Sequence, residues 1–250
     1  MRAPWHLVFD LETIDDPELS PPAARSGHDV GPPAPVHCKI VAASAIVLRP
    51  NYAVHSLRAF VSEPAWLRWY VEALTRKAGA VCLVGWGSRT FDAPVCAARC
   101  FRHGIAFPRY YEGRNGNAGD LRYRYGGDHL DLCDYLADHG SARSARLDAY
   151  CRAMGLPGKG DTNGGDVAAM VAEGRGDDVL TYNLSDTAQT TMVLLRTQYV
   201  RGLLDAEGYR TAMRGLLDAL AKEPRLAPLV AAVRAAPRWP LVLDVEAQPT

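Results

Sequence analysis

The chain is 250 residues long, with 48% hydrophobic and 22% charged residues, a globular composition with enough apolar material for one sizeable core. Its 28 Lys and Arg balance 28 Asp and Glu, which excludes a generally basic coat for nucleic acid but not a single acidic site flanked by arginines. No apolar run reaches membrane-spanning length and the N-terminus lacks a signal-peptide pattern, so a cytoplasmic protein that does not enter a membrane is expected. Six cysteines, Cys38, Cys82, Cys96, Cys100, Cys133 and Cys151, lie mostly in apolar stretches of a chain too large to need staples, and read as reduced, buried thiols.

Residues 7–16, LVFDLETIDD, begin the order. Three apolar residues lead into Asp10 and Glu12, which in a strand project from one face and crowd two carboxylates into one small volume. Such a pair is tolerable mainly when a cation sits between its members. Asp15 and Asp16 read as part of the following turn, and a Pro-, Gly- and Ser-rich loop over 16–35 is long enough to cover or reach a substrate. Residues 39–48 and 54–61 read as two more strands, which makes an antiparallel meander of the first three.

Ser62, Glu63 and Pro64 start a helix whose Trp66, Trp69, Tyr70, Ala73 and Leu74 follow helical spacing until Gly79. Residues 80–84, AVCLV, form a short buried strand. The turn 85–89, GWGSR, then delivers Phe91 and Asp92 to another helix, with Pro94 in its first turn and Val95, Ala98 and Phe101 inward. At such a position Asp92 is either a site carboxylate or a helix cap.

Residues 107–128 are rich in Tyr, Gly and Arg and read as an excursion with one hairpin, after which HLDL (129–132) resumes strand alternation. An amphipathic helix from Arg146 stops at Gly155 and Pro157, Lys159 lies in a glycine-rich turn, and Val167, Met170 and Val171 mark a short helix. A last long helical region begins near Asp177, carries Tyr182 and Asp186 four apart on one face, and is interrupted by Gly202. Beyond Pro224 the pattern is a helix and a final apolar piece, PLVLDV. The expected organisation is one α/β domain over 1–222, with a mixed central sheet flanked by helices, and a C-terminal extension over 223–250.

D-x-E ending the first strand, F-D after a glycine turn and Y-x-x-x-D in a late helix together resemble the DEDD superfamily of 3′–5′ exonucleases, in its tyrosine-containing branch. FDLETI, VGWGSRTFDAPV, HLDL, MGLPGK and YNLSD are most similar to the bacterial predicted 3′–5′ exonucleases related to the proofreading domain of family-B DNA polymerases. The resemblance covers most of the chain. It implies a ribonuclease H-like fold, with Asp10, Glu12, Asp92 and Asp186 as metal ligands and Tyr182 as the residue that positions the attacking water. It also implies two Mg²⁺ or Mn²⁺ ions, which suit an all-carboxylate set better than zinc does. The implied reaction is hydrolysis at single-stranded or frayed 3′ ends, DNA ahead of RNA, releasing nucleoside 5′-monophosphates. The alternative is a weak or silent relative that binds nucleic acid or a protein partner.

The pattern departs at Gly87, where the family usually has Asn; Ser88 is the nearest partial substitute. Substrate-binding candidates are Leu11 and Thr13 beside the first pair, Trp86, Ser88, Arg89 and Phe91 around the second motif, His129 and Asp131, and Lys159. Arg89 and Lys159 stand out for phosphate because each lies in a Gly-rich turn. Trp86, Tyr123 and Tyr125 are candidates for stacking on bases, whereas Phe91 reads rather as core. Arg99, Arg102, Arg109, Arg122 and Arg124 read mostly as solvated surface residues, and His129 with Asp131 as either a structural pair or a substrate rim.

Overall fold

The computed structural model describes residues 4–19, 33–76, 81–111, 121–158 and 164–236. Its strands are β1 (Trp5–Asp15), β2 (Cys38–Leu48), β3 (Val54–Phe60), β4 (Val81–Gly85) and β5 (His129–Asp131). They form one mixed sheet in the order β3-β2-β1-β4-β5. The first three pair antiparallel as a meander, and β4 and then β5 add in parallel on the other side of β1. Parallel neighbours require crossovers; α1 (Glu63–Arg76) leads into β4, and α2 (Asp92–His103) and α3 (Pro108–Tyr111) lie between β4 and β5.

Strand alternation assigns the layers. Leu7, Phe9 and Leu11 of β1 are buried with Trp66, Leu67 and Tyr70 of α1 and Ala93, Val95 and Cys96 of α2. Val8, one step out of phase, joins Ala42, Ile46 and Val84 against Leu184, Ala188, Met192 and Leu195 of α7 (Gly176–Val200). The same second layer takes in α4 (Leu132–Tyr135), α5 (Leu147–Ala153), α6 (Val167–Ala172), α8 (Ala206–Leu220) and α9 (Ala227–Ala235). Asp10 and Glu12 share the phase of Val8 and therefore the face that α7 covers. Leu226, Val230 and Val233 belong to that same core.

Several expectations are corrected. Phe101 is 85% exposed, because Ala93, Cys96, Ala97 and Cys100 take the inward stripe of α2. Among the described residues of 107–128 there is a short helix and turns but no hairpin. Asp15 ends β1 rather than lying in the turn. The helical region interrupted at Gly202 is two separate helices, and Tyr209, Met213, Leu216, Leu217 and Leu220 carry the apolar stripe of the second, α8. Gly79, PLVLDV, Lys159 and most of the 16–35 loop lie outside the described residues. All six cysteines are free, and five of them are buried.

Arg99 and Arg109 are buried ion-pair partners, not solvated residues. Arg99 donates from Nε and Nη2 to the two oxygens of Glu63 at 2.6 and 2.8 Å, and from Nη1 to Oδ2 of Asp16 at 2.7 Å. Glu63 also accepts the Ile40 N–H at 2.9 Å and contacts Nε2 of His103 at 2.7 Å. One guanidinium thus joins the exit from β1 to α1, α2 and β2 with geometry that only Arg supplies.

Candidate active site

The register of β1 on β2 shifts between Glu12 and Thr13, so a bulge immediately follows the acidic pair. Carboxylate oxygens of Asp10, Glu12 and Asp186 all lie within 4.8 Å of one another, the first two from β1 and the third from α7 above them. Glu12 and Asp186 are buried. Three like charges gathered there suit a hard divalent cation, and an all-oxygen donor set fits Mg²⁺ or Mn²⁺.

Asp92 reaches the same strand from the opposite layer, at the first residue of α2. It is buried and hydrogen-bonded to the backbone of Leu11, the residue between Asp10 and Glu12. Burial pushes its carboxyl up to about 7; hydrogen bonds from its own N–H and from Leu11 oppose the rise, and the charge of Asp131 adds to it. Asp92 is outside the group of three, yet it is tied to the segment that carries two of them.

Asn183, inside the YNLSD motif, was not among the residues singled out from the sequence. Its side chain is fully buried and Nδ2 donates to Oδ2 of Asp10 at 2.8 Å. Ser44, the register partner of Asp10 on β2, bonds Thr187 Oγ1 at 2.7 Å and donates to the Asn183 carbonyl at 3.3 Å. Polar side chains thus clamp α7 to β1 and β2 beside the carboxylates. The available signal was a polar residue within a motif that Tyr182 and Asp186 already accounted for.

The GWGSR turn is held by Asp131. Its Oδ1 accepts the N–H of Gly87 at 2.9 Å and its Oδ2 that of Arg89 at 2.9 Å, while Oδ1 also caps α4 through the N–H groups of Cys133 and Asp134. Gly87 has φ +69° and open space where a Cβ would stand. Left-handed backbone is what Gly and Asn tolerate best, so the departure from the family's Asn preserves the conformation. Ser88 is fully buried and its Oγ lies 2.9 Å from His129 Nε2. The other ring nitrogen, Nδ1, faces the Leu121 carbonyl at 2.9 Å and must donate to it, so Nε2 of the neutral ring accepts from Ser88. Burial, with the Arg89 charge, lowers His129 to about 3 and keeps it neutral. Arg89 itself turns inward, donating to the carbonyls of Leu121 and His129.

Of the remaining candidates, Leu11 is core and Thr13 half-buried beyond the bulge. Trp86 is half-buried with its ring edge-on to Tyr150 at 5.2 Å. Phe91 occupies the N-cap of α2 and packs on the α1–α2 core. Tyr182 and Asp186 border one open cavity of about 570 Å³. The structure therefore gathers Asp10, Glu12 and Asp186 closely, puts Tyr182 on the same cavity as Asp186, ties Asp92 to the Leu11 backbone from the opposite layer, and puts Ser88, Arg89, His129 and Asp131 to work supporting the turn. No helix among the described residues is long and apolar enough to cross a membrane.

Comparison with known proteins follows the same line. Residues 33–233 match the family described as predicted 3′–5′ exonucleases related to the exonuclease domain of PolB, a stretch that starts after Asp10 and Glu12. The family B DNA polymerase from the hyperthermophilic archaeon Pyrobaculum calidifontis superposes with TM-score 0.53 at 18% identity over 87% of this chain and 29% of the polymerase. That likeness shows a shared ribonuclease H-like fold. An exonuclease I structure aligns with TM-score 0.40 at 15% identity, over 82% of this chain and 46% of its own. E. coli exonuclease I in complex with a dA16 oligonucleotide gives 0.39 at 14% identity over the same shares. The chain spans less than half the length of any of these proteins. No curated protein sequence matches.

Proposed function

Given that the chain belongs to the family of predicted 3′–5′ exonucleases related to the exonuclease domain of PolB, we propose that it is a DEDDy-type, metal-dependent 3′–5′ exonuclease. It trims single-stranded or frayed 3′ ends, DNA ahead of RNA, and releases nucleoside 5′-monophosphates. The observation that carries this reading is the convergence of Asp10, Glu12 and Asp186 within 4.8 Å.

Two Mg²⁺ or Mn²⁺ ions, when bound, would supply an activated water and neutralise charge building on phosphorus and on the 3′ leaving oxygen. Asp10, Glu12 and Asp186 would hold them, with Asp92 completing the set from the α2 side. Tyr182, one helical turn before Asp186, faces the same cavity and would orient the attacking water through its hydroxyl. Asn183 keeps one oxygen of Asp10 engaged and so fixes the direction of the other.

The test is digestion of a 5′-labelled single strand with Mn²⁺ or Mg²⁺. Wild type should give a ladder shortened from the 3′ end, and Asp186→Asn should abolish it without lowering the melting temperature in EDTA, where losing one of three crowded charges relieves repulsion. Internal fragments, or full activity in Asp186→Asn, would sink the reading.

A further inference from the structure

Asp131 ends β5 and pairs in register with Gly85, the last residue of β4, so its carboxylate lies at the sheet end where the GWGSR turn begins. The side chain is buried, and its two oxygens accept four backbone N–H groups. Oδ1 takes those of Gly87, Cys133 and Asp134 at 2.9, 3.1 and 3.3 Å, and Oδ2 that of Arg89 at 2.9 Å. Bonds to an ionised acceptor are about twice as strong as neutral ones, so the turn is gripped at two points. The grip reaches Asp92. The Gly87 carbonyl accepts the N–H of Thr90 at 3.2 Å and its Oγ1 at 2.9 Å, and the Ser88 carbonyl accepts the N–H of Ala93 at 2.8 Å. Those carbonyls decide where α2 begins. The turn also has little room to shift, since a Cβ on Gly85 would stand 2.5 Å from that of Ser88. We propose that Asp131 is a positioning residue for the metal centre: through the N–H groups of Gly87 and Arg89 it sets the first turn of α2, and so the place of Asp92 against Asp10 and Glu12.

Capping α4 does not account for this arrangement. Both α4 N–H groups go to Oδ1, whereas Oδ2 serves Arg89 in the turn. Asp92, the first residue of α2, in turn meets β1 at the backbone of Leu11, between the two carboxylates of the acidic pair. A continuous set of hydrogen bonds therefore runs from β5 through the turn and α2 to the metal-binding segment of β1. Side chains that hold metal ligands in place typically contribute 10- to 100-fold to metal affinity. The inference rests on the nuclease reading, in which Asp92 is a metal ligand.

Calorimetry of Mn²⁺ binding to the full chain tests it in a double-mutant cycle over wild type, Asp131→Asn, Asp92→Asn and the double variant. Asp131→Asn keeps the Oδ1 acceptor for Gly87 and α4 but turns an amide donor toward the Arg89 N–H. It should weaken Mn²⁺ binding about tenfold in the wild-type background. In the Asp92→Asn background it should change nothing, because the loss runs through Asp92. Circular dichroism of the same samples checks the fold. Asp131→Ser, which also retains a cap for α4, carries the same expectation where the Asn variant does not fold. Wild-type Mn²⁺ affinity in the folded variant overturns the proposal, and so does an equal loss in both backgrounds, which is what a general weakening of the structure produces. Failure of both variants to fold makes Asp131 a folding residue and overturns it too. Wild type that binds no Mn²⁺ overturns this inference and the nuclease reading together. An Asp92-dependent loss of Mn²⁺ binding, in a protein whose wild type leaves 5′-labelled strands intact, overturns only the nuclease reading.

Discussion

Asn183 and Asp10 are 173 residues apart and share a 2.8 Å hydrogen bond from the Asn183 amide to Oδ2 of the carboxylate. The bond orients the Asp10 carboxylate through one of its two oxygens. Side chains that orient a metal-binding carboxylate typically contribute 10- to 100-fold to metal affinity. Asn183→Leu keeps the volume and removes the donor, so Mn²⁺ affinity should drop about tenfold or more with the fold intact. A Mn²⁺ titration followed by calorimetry, beside circular dichroism of the same sample, checks this. Unchanged affinity would reduce Asn183 to a packing residue.

Tyr182 separates binding from rate. Tyr182→Phe retains the ring that packs on the α7 core and deletes only the hydroxyl. The exonuclease rate should fall by about 10², with Mn²⁺ affinity within twofold of wild type. Single-turnover rates at saturating Mn²⁺ distinguish this from a metal defect. A variant with full rate would leave the water to be positioned by some other group.

Gly87 tests whether its departure from the family pattern matters to the backbone. At φ +69° Asn should be tolerated, and Gly87→Asn should change stability by less than about 0.5 kcal/mol. Gly87→Val should cost about 1–2 kcal/mol from left-handed strain alone, since no neighbour crowds a Cβ there. Urea unfolding gives both numbers, and an equal cost for Asn and Val would rule out backbone conformation as the reason for glycine.

The parts of this molecule legible in its sequence are those that depend on local spacing. Asp10 and Glu12 share a strand face, Tyr182 and Asp186 a helix face, and the meander follows from alternation between turns. What stayed hidden depends on partners far along the chain. Arg99 looks like one more surface arginine until Glu63 and Asp16, 36 and 83 residues away, close on it. Helix α7 carries buried Asn183, Thr187, Gln189, Thr190 and Thr191 among its apolar residues, so hydrophobic periodicity marks its presence but not which polar groups are inside. Ser88 and His129 pair across 41 residues, and no motif spacing announces that they support the turn.

The Arg99 cluster predicts how stability responds to acid. Burial alone would raise the Glu63 carboxyl, but hydrogen bonds from Arg99, His103 and the Ile40 N–H, with the Arg99 charge, outweigh it and hold the group below its ordinary 4.5. Burial would likewise raise Asp16, and Arg99, the Glu18 N–H and Arg102 hold it below 3.8. A carboxyl with a depressed folded pKa adds stability that is full above its unfolded pKa and is lost as pH falls through the folded value. Wild type should therefore show this contribution flat from pH 7 to about 5 and falling below that. Arg99→Met leaves two carboxylates buried without their bidentate cation, which should cost about 3 kcal/mol at pH 7. His103 and the Ile40 N–H still act on Glu63, and Arg102 and the Glu18 N–H on Asp16. Without Arg99, however, both carboxyls titrate higher than in wild type, so acidification from pH 7 to about 4 should cost the variant less stability than it costs wild type. Urea midpoints for the two proteins between pH 4 and 7 measure the slopes. Parallel slopes would mean that Arg99 does not set the charge state of Glu63 and Asp16.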